Sequence, residues 1–161
     1  MSQLFLGVRD RAVYAWEYQW VDPNDHQLLN ESEIRGIVPY VWRDMGLLNP
    51  PMVELSPREN SRSGSGNRIK VTFGTSSHLT VILHELAHSM DVSLETSMGA
   101  SAMRPKSEVG GGSYHDENWL GLYVKMLDRY IGGRHFNLFW LYNTLAGAGL
   151  TVSLAPKPRC I

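Results

Sequence analysis

Residues 84–88 read His-Glu-Leu-Ala-His, inside a stretch whose apolar positions Leu79, Ile82, Leu83, Leu86 and Met90 recur at helical spacing. Such a run predicts a helix over residues 78–92. Positions i and i+4 lie about one turn apart on one helical face, so a chain that folds this way must present His84 and His88 side by side. Two imidazoles so placed can reach one zinc ion at about 2.0–2.1 Å each. Glu85, beside the first of them, is then placed to take a proton from a zinc-activated water and return it to a leaving group. The segment 69–73, IKVTF, reads as a strand before this helix, and residues 74–77 as a turn with N-cap chemistry.

A catalytic zinc commonly takes three protein ligands. The chain has one cysteine, Cys160, which excludes a cysteine-rich zinc site and reads more simply as inert than as a ligand, so the third ligand is sought among nitrogen and oxygen donors. Leu94 stands where the metzincin spacing would need a third histidine. The remaining candidates are Asp91, Glu95, Glu108, His115, Asp116 and Glu117. Asp91, three residues past His88, is better placed to orient a ligand imidazole than to bind metal. Glu108 lies in an irregular segment. His115 follows three glycines and precedes an amphipathic run, so the chain can fold it back onto the helix; it is the preferred third ligand, with an acidic residue such as Glu108 as the alternative.

The rest of the sequence predicts one α+β domain over residues 1–161: a small mixed or antiparallel sheet packed on the motif helix and on two or three further helices. Hydrophobic residues at 43% and charged residues at 19% fit a folded globular chain, and a net charge of −1 gives no overall pull toward nucleic acid or anionic lipid. Tyr14, Trp16, Tyr18 and Trp20 alternate with other residues and read as a strand, with a short helix as the other possibility. Asn30 and Glu33 form a capping box before a helix carrying Ile34, Ile37, Val38, Val41, Trp42 and Met45, which Pro39 should kink or restart and Gly46 should end. Met52–Leu55 reads as a strand, residues 57–68 and 93–114 as flexible loops, and residues 118–131 as a helix stopped by Gly132 and Gly133. Residues 136–146, apolar on nearly all sides, read as a buried helix. A last strand is expected over 150–154 and a frayed tail over 156–161. The uncharged run 135–156 is long enough to span a bilayer, but Asn137, Asn143 and Thr144 dilute it, and no signal peptide is visible. A cytoplasmic protein with no membrane partner is expected.

The run 115–130, HDENWLGLYVKMLDRY, resembles the element that follows H-E-x-x-H in SprT-like zincins, and still more that of small metallohydrolases of actinobacteria and their phages. In those proteins a third histidine ligand opens a helix. The resemblance covers residues 69–131, departs from the pattern at Asp116-Glu117, where Gly-Pro is usual, and lacks the cysteine zinc ribbon of SprT proteins. It implies a zincin-like fold, one zinc per chain on His84, His88 and His115, and Glu85 as general base.

The function so implied is a zinc-dependent hydrolase, a small metallopeptidase acting on a peptide or protein. The alternatives are a non-catalytic zinc-binding interaction module or a hydrolase of a non-peptide bond. Tyr114, Tyr123, Arg134 and His135 are candidate oxyanion donors. The strand at 69–73 could be the sheet edge that pairs with an extended substrate. The local excess of positive charge over residues 57–70 could touch nucleic acid, although a solvated loop is the simpler reading. Oligomeric state is not legible.

Overall fold

A computed structural model describes residues 7–56, 62–63, 70–91 and 115–159. The flexible segments expected at 57–68 and 93–114 therefore fall almost wholly outside the described residues, as do Glu95, Glu108, Tyr114 and Cys160. The fold is α+β, and it divides into two compact units: residues 1–24 with 105–157, and residues 25–104 with 158–161.

The first unit opens with helix α1, Val8–Trp16, which runs into a π-helical turn, Glu17–Val21, and a 3-10 turn, Asp22–Asn24. This corrects the strand expected over the alternating aromatics. The buried positions are Val13, Trp16, Glu17 and Val21, at i, i+3, i+4 and i+8, whereas Tyr14 and Tyr18 are exposed. The burial is helical, and the alternation of ring-bearing residues does not follow it.

Helix α4, Glu117–Tyr130, begins at Asp116, whose side chain accepts from the Trp119 N–H at 2.9 Å. Its inner face carries Trp119, Leu120, Leu122, Tyr123, Met126 and Leu127, all fully buried. Trp16 meets Tyr123 edge-on at 6.3 Å and donates its indole N–H to Thr144 Oγ1 at 3.0 Å. Helix α5, Leu138–Gly147, is capped by Asn137. It buries only Leu141 and Leu145, while Phe139 is 81% exposed, so the fully buried helix expected there is corrected to one with an open face. Residues 150–154 form no strand; they lie along α4, where the Ser153 N–H donates to the Glu117 carbonyl. A Cβ on Gly121 would come within 2.5 Å of the Ser153 carbonyl oxygen, so glycine is what permits this approach.

The second unit is built on helix α2, Glu31–Asp44, and helix α3, Leu79–Asp91. The capping box is present: Asn30 accepts from the Glu33 N–H at 2.9 Å, and Glu33 accepts from the Asn30 N–H at 3.1 Å. Pro39 neither breaks nor restarts α2, which is continuous over its 14 residues. The helix ends in a Schellman motif, with Gly46 at φ +84° and with N–H bonds from Leu47 to Trp42 and from Gly46 to Arg43.

Strands β1, Leu28–Leu29, and β5, Ser77–His78, pair antiparallel. Strands β2, Met52–Leu55, β3, Arg62–Ser63, and β4, Lys70–Phe73, form a mixed sheet in the order β2-β4-β3. β4 runs parallel to β2 and antiparallel to β3, so it is central. The expectation that it offers an edge to a peptide is thereby corrected: both of its sides are taken. The tail is also better fixed than a frayed end, since the Arg159 N–H donates to the Met90 carbonyl at 2.7 Å and Arg159 pairs with Asp91 at 3.4 Å. Among the described residues, no helix is long and apolar enough to cross a membrane.

Candidate metal centre

Helix α3 is buried around nearly its whole circumference: Leu79, Ile82, Leu83, Leu86, Ala87 and Met90 are in the core, and His84 and Glu85 are buried with them. Its first turn is not capped by Ser76 or Ser77. The cap comes from Asp25, whose Oδ2 accepts from the Thr80 N–H at 2.7 Å and whose Oδ1 accepts from the Gln27 N–H at 2.8 Å. Ser77 lies in β5 instead, with its hydroxyl 3.4 Å from the Gly74 carbonyl.

One turn apart on this helix, His84 Nε2 and His88 Nε2 are separated by 3.3 Å. Two nitrogens held about 2.05 Å from one tetrahedral ion stand about 3.3 Å apart. The spacing therefore fits two ligands of one zinc without adjustment. His88 is half-buried.

His115 lies just before α4 and is 2% exposed. Its ring is gripped from within its own unit. Asp10 Oδ1 lies 2.9 Å from ring Nδ1 and 3.3 Å from the His115 backbone nitrogen, which donates to it. Tyr14 and Trp119 meet the imidazole edge-on, with centroids at 5.0 and 4.5 Å. Arg9 Nε donates to the His115 carbonyl at 2.7 Å, and its other nitrogens donate to Thr151, Nη1 to Oγ1 at 3.1 Å and Nη2 to the carbonyl at 2.6 Å.

His84, His88 and His115 make up a group that could hold a metal ion. Each of the acidic alternatives within the described residues has a partner. Asp116 caps α4, Glu117 accepts from the Thr151 hydroxyl at 2.8 Å, and Asp91 pairs with Arg159. Of the oxyanion candidates, Tyr123 is fully buried against Trp16 and Trp119, and Arg134 and His135 are exposed in the turn after α4, where His135 packs on Trp140.

Asp10 is the residue that sequence reasoning missed. It lies 105 positions from His115, so local pattern does not pair the two. The triplet Arg9-Asp10-Arg11, charged residues beside an aromatic run, was the one available signal. No family model, curated protein or solved structure matches the chain.

Proposed function

We propose that the chain is a zinc-dependent hydrolase, with His84, His88 and His115 as ligands and Glu85 as general base, and that its substrates are peptides. The observation that carries this reading is the His84–His88 pair, with Nε2 atoms 3.3 Å apart on the helix that also bears Glu85, and with His115 in the group that could hold a metal ion. A wholly histidine donor set suits zinc and leaves a coordination position for water, as catalytic sites require. When bound, zinc supplies a water acidified to a pKa near 7 and a Lewis acid for a carbonyl.

The chain's own residues supply the remainder. Glu85, adjacent to His84 and 9% exposed, holds the proton removed from the attacking water and delivers it to the departing amine. The surrounding apolar helix face keeps the local dielectric low, which strengthens each charge contact in the site. A structural metal site has no use for that carboxylate, which favours hydrolysis over a purely structural zinc. The peptide substrate rests on the resemblance to SprT-like proteins over residues 69–131.

The test is hydrolysis of a denatured protein and of a peptide library by the zinc-loaded chain, alongside Glu85→Gln. The expected result is cleavage that o-phenanthroline stops and that Glu85→Gln loses while keeping its zinc. Cleavage by Glu85→Gln at the parent rate would overturn the mechanism. Bound zinc with no cleavage would favour an interaction module, and cleavage of ester or phosphoester probes alone would move the substrate class away from peptides.

A further inference from the structure

We propose that Asp10 is a positioning residue for the metal centre: it holds His115 as the Nδ1–H tautomer and so leaves Nε2 to face the metal. The inference deepens the reading of His84, His88 and His115 as ligands and rests on it.

A neutral imidazole carries its hydrogen on one nitrogen and a lone pair on the other, and only the lone pair can bind metal. An ionised carboxylate is an acceptor only. Asp10 Oδ1, 2.9 Å from His115 Nδ1, therefore requires that nitrogen to be the donor. That assigns the lone pair to Nε2. In water the neutral side chain favours the opposite tautomer, so without Asp10 the ring would have to exchange its hydrogen before it could bind through Nε2.

The contact is built to be maintained. The two side chains are 3% and 6% exposed, so water does not compete for it, and a charge-assisted bond in such surroundings is among the stronger ones. The same carboxylate oxygen also accepts from the His115 backbone N–H at 3.3 Å, which ties the ring to its own main chain. Arg9, the preceding residue on α1, fixes the other side of that peptide by donating to the His115 carbonyl at 2.7 Å. Adjacent residues of one helical turn thus clamp both the main chain and the ring of His115. Tyr14, a turn further along α1, and Trp119 bracket the ring edge-on and oppose its rotation. Carboxylate partners of this kind raise the basicity of a ligand imidazole, and their loss costs about 10–100-fold in metal affinity.

The experiment has two arms, both on the full chain. In the metal-free protein labelled with 15N-histidine, long-range 1H–15N spectra should show the His115 hydrogen on Nδ1 and a bare Nε2. The spectra are taken at a pH where the ring is neutral, and a hydrogen on Nε2 with Nδ1 bare would overturn the proposal. In the second arm, zinc affinity is measured by competition with a chromogenic chelator for the parent, Asp10→Ala, His115→Ala and the double variant. Asp10→Ala should weaken zinc by about 10–100-fold in the parent background and change it little when His115 is already absent. Equal weakening in both backgrounds would make Asp10 a general structural residue and overturn the proposal. If Asp10→Ala does not fold, Asp10→Asn keeps the shape and removes the charge; it should weaken zinc less but in the same background-dependent way. If the parent binds no zinc, the metal reading itself fails. A proton on the wrong nitrogen with zinc binding intact removes Asp10's role alone.

Discussion

His84 and His88 present their Nε2 atoms to each other at 3.3 Å across one turn of α3. Two imidazole nitrogens this close can share one hydrogen between them, but two protonated rings would set like charges side by side. A cation with two lone pairs directed at it resolves the same geometry favourably. The helix backbone sets the spacing, so the pair is organised before any ion arrives.

The parent chain should carry one zinc, and His84→Ala, His88→Ala and His115→Ala should each carry close to none after dialysis against a weak chelator, by elemental analysis. Full retention in His115→Ala would sink the third ligand and leave the helical pair in need of a different one.

Zinc should also stabilise the fold, because an ion that binds only the native state shifts the folding equilibrium. At a free concentration about 100-fold above Kd the gain is about 2.7 kcal/mol. Removal of zinc should therefore lower the urea midpoint of the parent and leave that of His84→Ala unchanged. The same shift in both proteins would mean that the chelator acts elsewhere.

What could be read from the sequence was local. The periodicity of 79–90, the Asn30–Glu33 box and the Gly46 stop are each written within a few residues, and each is present in the fold. What could not be read depends on pairings across long stretches of chain. Asp10 reaches His115 over 105 positions, and Asp25 caps α3 over 55. The central place of β4 depends on β3, a two-residue strand inside a segment that reads as loop. Residues 13–21 misled for another reason: the visible alternation of Tyr and Trp obscured the helical recurrence of Val13, Trp16 and Val21, which are the residues that are buried.

Gly121 allows the chain after α5 to lie on α4. Gly121→Ala would set a methyl group 2.5 Å from the Ser153 carbonyl oxygen and 2.9 Å from Pro156 Cβ. Relief requires that segment to move, at a cost of about 1–3 kcal/mol. Equilibrium unfolding in urea should show the loss, whereas Gly36→Ala, in α2 with open space around it, should be neutral or stabilising. Equal midpoints for the two variants would mean that the contact along α4 is not maintained.

Asp25 offers the sharpest separation of fold from site. Its side chain is 1% exposed, and its two oxygens accept from the Thr80 and Gln27 N–H groups at 2.7 and 2.8 Å. Thr80 lies in the first turn of α3, where helix donors have no partner within the helix. Asp25→Ala takes the acceptor from the buried Thr80 N–H, at a cost of about 1–2 kcal/mol. His84 lies a full turn further along, beyond the reach of fraying confined to the first turn. The variant should unfold at lower urea yet still bind one zinc per chain, with affinity reduced far less than by His84→Ala. If it folds as stably as the parent, the cap contributes nothing. If it loses zinc as completely as His84→Ala, the start of α3 belongs to the metal centre and is more than its support.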